Sequence, residues 1–429
     1  MDSSQVSSNI ADMSRLELVV TAIQRLAELL NEAQQADYAA LLEPYQKEKA
    51  RQFVYRVKGK AATQEALQTA GSALAQLLSG IADNVGDVQE DPAYQAGARL
   101  FAENFSLTEA ETVYVKKNDE ITSGALQSLD DLEATFRRKG GNTYKGYVVN
   151  ITETCDPRNE LQLITNVQVA PNNIDDAALL CEALPELKER TNVQELYTDG
   201  GFGSPEADLV LREHDVKLHQ THMRGKAPDP AKYNLADFSI ICDDEGNPAY
   251  LGCPHKQIVP ILPARTTGFV ARFNAAQCQK CPAYKNQCRV QLMKRRSVCR
   301  LNFTLANVLW ALRRQRYRQL RQTPGDPRAA IEATVRAVKH PYRGQLPVRG
   351  RYRVTNMMMG SAAMSNIRSI LRYHKRKRKR RDGKEAKRWQ ETYKTYQENI
   401  KRALDNARFS SLSLPNLLGK LVSETCFSC

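Results

Sequence analysis

The sequence predicts an α/β protein, a mixed sheet flanked by helices, with a helical region before it and a cysteine-rich insertion within it. Three observations predict this. Residues 12 to about 110 carry apolar residues at helical spacing. Residues 144 to 218 read strand, strand, helix, strand, helix, strand, the order of a sheet with covered faces. After Gly225 both periodicities give way to a cysteine- and proline-rich stretch that runs to about Val298.

Taken in order, Leu16, Val19, Val20, Ile23, Leu26, Ala27 and Leu30 form one amphipathic stripe. Tyr147, Val148, Val149 and Ile151 are strand formers, and Leu161, Leu163, Val167 and Val169 alternate with polar residues. Cys155 to Glu160 between them reads as a turn, so the two runs form a hairpin. A helix follows from about Asp175 to Lys188, then a short strand ending at Tyr197-Thr198-Asp199. Ser204 as N-cap and Pro205 at the first turn open another helix. Val216 and Leu218 mark the next strand. Helices return at about Thr304 to Gln322 and at Pro327 to His340, the latter capped by Asp326, and again beyond Arg353. The resulting segments are 1–130, 131–224, 225–300, 301–374 and a basic tail at 375–429, whose end after Arg408 reads as poorly ordered.

Length and composition admit two or three globular units: 429 residues, 42% of them hydrophobic. The net charge of +14 favours a polyanionic partner. Residues 300 to 408 hold 29 Lys and Arg against 7 Asp and Glu, so the cationic surface is C-terminal and the remainder is net acidic. No run approaches the roughly 18 to 20 apolar residues of a membrane span, and no signal peptide opens the chain. A soluble, cytoplasmic protein is expected, one whose ten cysteines are thiols or metal ligands rather than disulfides.

Two carboxylates stand out. Asp199 ends a predicted strand and precedes Gly200-Gly201-Phe202-Gly203, so it projects into an open crevice, although an Asp-Gly turn is an equal reading. Glu332 shares a helix face with Arg336 and Lys339, while Ile331, Val335 and Val338 share another; an ordinary surface pair is the alternative. Cys253, Cys278, Cys281 and Cys288 give C-x24-C-x2-C-x6-C, a set of soft ligands able to close a tetrahedral structural Zn²⁺ site, with His255 a possible substitute and buried thiols the alternative. Cys426 and Cys429 lack a second pair. Arg313, Arg314, Arg316, Arg318 and Arg321 precede the Glu332 helix, and Arg343, Arg349, Arg351 and Arg353 follow it, as cations lining a DNA channel. The run Lys375 to Arg381 either tracks phosphate or is a solvated helix end. Six scattered histidines form no hydrolase or metalloprotease motif.

Three segments, Tyr197-Thr198-Asp199-Gly200-Gly201-Phe202, Ile331 to His340 and Gly344 to Val354, resemble blocks of bacterial insertion-sequence DDE transposases, in that family's order. The Leu129 to Thr135 and Asn150 to Cys155 segments add to a likeness that runs from Asp2 to about Tyr373. The resemblance implies an RNase H-like core with a zinc-ribbon-like insertion. It implies Asp2, Asp199 and Glu332 as catalytic ligands of Mg²⁺ or Mn²⁺, with Asp2-Ser3-Ser4-Gln5 matching the family's first-Asp motif and Asp130 or Asp131 as fallbacks. Arg328, Arg336, Lys339, Arg349 and Arg351 are the DNA contacts expected with it. Such a protein uses two metal ions about 4 Å apart to cut and join strands at transposon ends. Its partners are double-stranded DNA, in terminal repeats and target, and further copies of itself in a synaptic complex. Because Asp2 is the second residue, the strand that carries the first Asp and the upstream DNA-binding region are expected to be missing. A catalytically inactive DNA-binding remnant is then the alternative function, and a zinc-stabilised interaction protein a third.

Overall fold

The computed structural model describes residues 1–84, 88–108, 112–265, 267–293, 297–322, 328–342 and 345–409. The chain divides into two compact units, Met1–Ser365 and Asn366–Cys429. The first opens with β1 (Asp2–Ser7) and six helices, α1 (Arg15–Ala27), α2 (Glu32–Asp37), α3 (Ala39–Gln46), α4 (Ala50–Arg56), α5 (Lys60–Asn84) and α6 (Pro92–Asn104). Strands β2 (Phe105–Leu107) and β3 (Val113–Val115) close this region. Next come β4 (Thr135–Lys139), β5 (Asn142–Glu153), β6 (Ile164–Pro171), α7 (Asp176–Thr191), β7 (Glu195–Thr198), α8 (Pro205–Glu213) and β8 (Lys217–Gln220). Then follow β9 (Ser239–Cys242), β10 (Pro248–Gly252), β11 (Ile258–Pro263), β12 (Phe269–Asn274), α9 (Ala275–Lys280), β13 (Gln291–Leu292) and β14 (Val298–Phe303). Last are α10 (Leu305–Leu320), α11 (Ala329–Lys339) and α12 (Arg351–Phe409).

The stripe on α1 is buried as predicted, against α5 and α6, and the Ser14 side chain caps the helix by accepting from the Glu17 amide. The predicted hairpin is β5 and β6. β5 is the centre of its sheet: β1 pairs antiparallel along one edge, with Asp2 opposite Ile151 and Ser7 opposite Gly146. β6 and β4 share the other edge. Tyr147, Val149 and Ile151 pack with Ile331, Val335 and Val338 of α11. Val148 packs with Ala170 and with Leu179 of α7. The strand is therefore buried on both faces, which explains why Tyr147, Val148 and Val149 do not alternate with polar residues. β7 and β8 pair in parallel under Leu180, Leu184 and Leu211, and the Met1 amino group donates to the Tyr197 carbonyl at 2.9 Å, joining β1 to β7.

The strand that carries Asp2, expected to be missing, is present as β1, with Asp2 at its start. Its serines hide it from hydropathy, because the backbone ladder to β5 rather than side-chain burial holds it. The cysteine-rich stretch also differs from a ribbon built of turns. It is a six-stranded antiparallel sheet in the order β13-β14-β12-β11-β10-β9 over a core that includes Phe238, Leu251, Phe273 and Phe303.

Of the arginines expected to line a DNA channel from α10, Arg313 and Arg316 face inward, whereas the Arg318 side chain is 41% exposed and Arg321 is exposed. Arg313 donates to Asp208 at 3.1 Å with side chains 6% and 3% exposed, and Arg316 donates to the Leu218 carbonyl. Arg318 pairs with Asp237 at 2.8 Å, while Arg314 and Arg321 lie over the rings of Trp310 and Tyr317. A helix laid across α8 and β8 desolvates Arg313 and Arg316, so each needs an acceptor.

In the second unit the residues from Asn366 continue as helix to Phe409, and Lys375 to Arg381 are all exposed. Asp326, Pro327, Arg343 and Gly344, with the tail that holds Cys426 and Cys429, lie outside the described residues. Among the described residues no helix is long and apolar enough to cross a membrane.

Burial pushes the Asp208 carboxyl up to about 6, against the opposing pull of Arg313 and Arg316. The folded state then binds more protons here than the unfolded state between pH 3.8 and about 6, so this group's contribution to stability falls as pH rises through that window. Urea unfolding should show Asp208→Ala losing about 3 to 5 kcal/mol at neutral pH, because Arg313 is left buried without an anion. The paired change Asp208→Leu with Arg313→Met should recover most of that loss.

Candidate functional site

Thr198 ends β7, and Asp199 caps the short 3-10 turn Gly200–Phe202 by accepting from the Gly201 amide at 2.8 Å. Gln220 at the end of β8 donates to the Asp199 carbonyl, so two parallel strands fix this corner. Gly201 has no room for a side chain. A Cβ there would lie 2.6 Å from Asp176 Oδ2 and 3.0 Å from Asp199 Oδ1. Asp176, at the start of α7, is buried and accepts from Ser3 Oγ at 2.7 Å. Burial raises its carboxyl, and the charge of Asp199 adds to that rise against the lowering effects of Ser3 and Arg137. The sequence reading missed Asp176; its only local signal is an Asp-Asp pair at a helix start.

Asp2 and Glu332 meet through Arg328. The Arg328 guanidinium lies 3.0 Å from Asp2 Oδ1 and 3.3 Å from Glu332 Oε1, four residues along α11. Burial alone would lower the Arg328 pKa, but the hydrogen bond to Asp2 and the charges of Asp2, Asp199 and Glu332 raise it. The three carboxylates, from β1, the end of β7 and α11, thus act on one guanidinium. The Asp2 side chain is 12% exposed and that of Glu332 47%, so the cluster is open on the α11 side.

The remaining predicted contacts sort by partner. Lys339 turns inward, donating to Ser4 Oγ at 2.7 Å and to the Gln5 carbonyl at 2.6 Å, and burial lowers its pKa. It ties α11 to β1 rather than standing in solvent. Arg336 and Arg351 are exposed. Arg349 pairs with Asp130 at 3.4 Å, and Asp130 also pairs with Arg25. Asp131 accepts from Tyr147 Oη and from the Gly350 amide. The two fallback carboxylates are thus engaged in holding the helical region and the start of α12 to the sheet.

Cys253, Cys278, Cys281 and Cys288 line one pocket of about 420 Å³, together with Tyr233 and His255. Cys253 sits in the turn from β10 to β11, Cys278 on α9 and Cys281 at its end. Gln257 donates its amide to Cys253 Sγ at 3.3 Å and its side chain to Cys278 Sγ at 3.4 Å. Burial pushes the Cys278 thiol up to about 11, opposed by the Gln257 hydrogen bond. Buried Cys299 on β14 is a fifth neighbour that acts on Cys278. No local pattern marks Gln257 or Cys299 as members of this set. Among the described residues, no three His, Cys, Asp or Glu side chains stand close enough together to hold a metal ion as they are.

Comparison with known proteins returns no match: no family model, no curated protein and no solved structure.

Gly201→Ala should lower thermal stability by about 1 to 3 kcal/mol, the usual cost of forcing a methyl group into a filled site. In an Asp176→Ala background the same change should cost clearly less, because the nearest obstructing oxygen is gone; calorimetry of the four proteins checks this.

Proposed function

We propose that this chain is the catalytic part of a DDE transposase that cuts and joins DNA strands at transposon ends in the cytoplasm. The observation that carries the reading is that Asp2 and Glu332, from separate elements, pair with one guanidinium, Arg328, on which the charge of Asp199 also acts. Hard oxygen donors already gathered about a cation suit Mg²⁺ or Mn²⁺. The strand arrangement supports an RNase H-like core: β6, β5 and β1 antiparallel, β1 linked to β7, and β7 parallel to β8.

Bound divalent ions would supply activation of the attacking oxygen and neutralisation of the departing one. Asp2, Asp199 and Glu332 would hold them. The protein's own task is positioning. Lys339 and the β5 ladder fix the strand that bears Asp2, Gln220 and Gly201 fix Asp199, and exposed Arg336 and Arg351 would meet phosphate. Synapsis of two DNA ends would bring further copies of the chain together.

We read the six-stranded sheet with its thiol pocket as a zinc-ribbon-like insertion. Four soft donors in one pocket, two of them accepting N–H bonds from Gln257, suit a structural Zn²⁺. Metal analysis should find about one zinc per purified chain, and Cys281→Ser should lower that stoichiometry. Full zinc in the variant removes Cys281 from the set.

With duplex DNA bearing the terminal repeats and Mg²⁺ or Mn²⁺, the wild type should nick at the repeat ends. Glu332→Ala should lose at least about 10³-fold in rate, as expected for one member of a catalytic unit. Equal cleavage by both sinks the assignment. Salt-dependent binding without nicking by either would instead mark a DNA-binding remnant.

A further inference from the structure

Arg328 sits where the proposed chemistry needs divalent charge. Its side chain is 15% exposed, and it contacts a carboxylate of β1 and a carboxylate of its own helix at once. A guanidinium keeps its charge at any physiological pH and binds carboxylate and phosphate through the same planar fork. A like charge beside a cation site opposes cation binding. Taking the guanidinium away leaves Asp2 and Glu332 without their shared cation and within the field of Asp199, an arrangement that favours a divalent ion.

We propose that Arg328 is a resident counter-ion of the carboxylate cluster, displaced by a DNA phosphate, so that metal and DNA bind this protein cooperatively. The proposal rests on the metal-site reading of Asp2, Asp199 and Glu332. In the DNA-free protein the guanidinium neutralises the cluster, keeping β1 and α11 together and divalent ions weakly bound. A phosphate arriving from the open α11 side offers the fork an alternative partner. The carboxylates it leaves then bind metal more tightly. Linkage makes the effect reciprocal: metal must strengthen DNA binding by the same factor.

The test measures Mn²⁺ affinity of the full chain by electron paramagnetic resonance of free Mn²⁺. Wild type, Arg328→Gln and Asp199→Asn are compared with and without a short mixed-sequence duplex at low salt, after subtracting Mn²⁺ bound by duplex alone. Arg328→Gln should bind Mn²⁺ about tenfold more tightly than wild type without DNA, within the usual range of coupling. The duplex should strengthen wild-type binding by a similar factor and that of the variant much less. Equal or weaker affinity in a folded Arg328→Gln protein overturns the proposal. So does a wild-type affinity that the duplex leaves unchanged, a result that holds even if the variant does not fold. Asp199→Asn separates the two levels. If it binds Mn²⁺ like wild type, the metal-site reading falls and the counter-ion with it; if it loses Mn²⁺ while Arg328→Gln matches wild type, only the counter-ion falls.

Discussion

The candidate site depends on the antiparallel pairing of β1 with β5. β1 supplies little apolar surface of its own, since Ser3, Ser4, Gln5 and Ser7 make up most of it and Val6 is its one buried aliphatic side chain. Backbone hydrogen bonds to a strand buried on both faces hold it in place, with Lys339 from α11 and the Tyr197 carbonyl as further anchors. The position of Asp2 is therefore inherited from β5, and whatever disturbs the core around Tyr147, Val149 and Ile151 disturbs the carboxylate as well.

A second theme is the use of buried charge to join elements far apart in sequence. Arg313 and Asp208 bind α10 to α8, Lys339 binds α11 to β1, and Asp131 receives both the Tyr147 hydroxyl and the Gly350 amide. Such groups are costly to desolvate and add little net stability, but each accepts only a partner of opposite character at hydrogen-bonding distance. They select one packing of helices against the sheet where greasy contacts alone would tolerate several.

Sequence patterns revealed the elements whose order is local. The stripe from Leu16 to Ala27, the Ser204-Pro205 helix start and the β5 to β6 hairpin all stand where periodicity and capping chemistry put them. β1 escaped because a serine-rich strand has no hydrophobic alternation, and the six-stranded sheet because its strands are short and broken by proline and glycine. Asp199 and Glu332 were visible as types in context; the structure pairs Glu332 and Asp2 with Arg328, on which the charge of Asp199 also acts. The destinations of the arginines on α10 and of Lys339 were not visible, since a cation looks the same in sequence whether it faces water or a buried carbonyl. Asp176, Gln257 and Cys299 join their clusters only through tertiary contacts.

The contact between Arg328 and Asp2 spans 326 positions of chain. A loop of that length closes slowly, and during synthesis the two groups coexist only after nearly the whole first unit has left the ribosome. The helical region can condense around α1 and α5 well before then, whereas the three carboxylates remain scattered along an unfinished polypeptide. Assembly order by itself thus keeps the carboxylate cluster from forming on any fragment that stops short of α11.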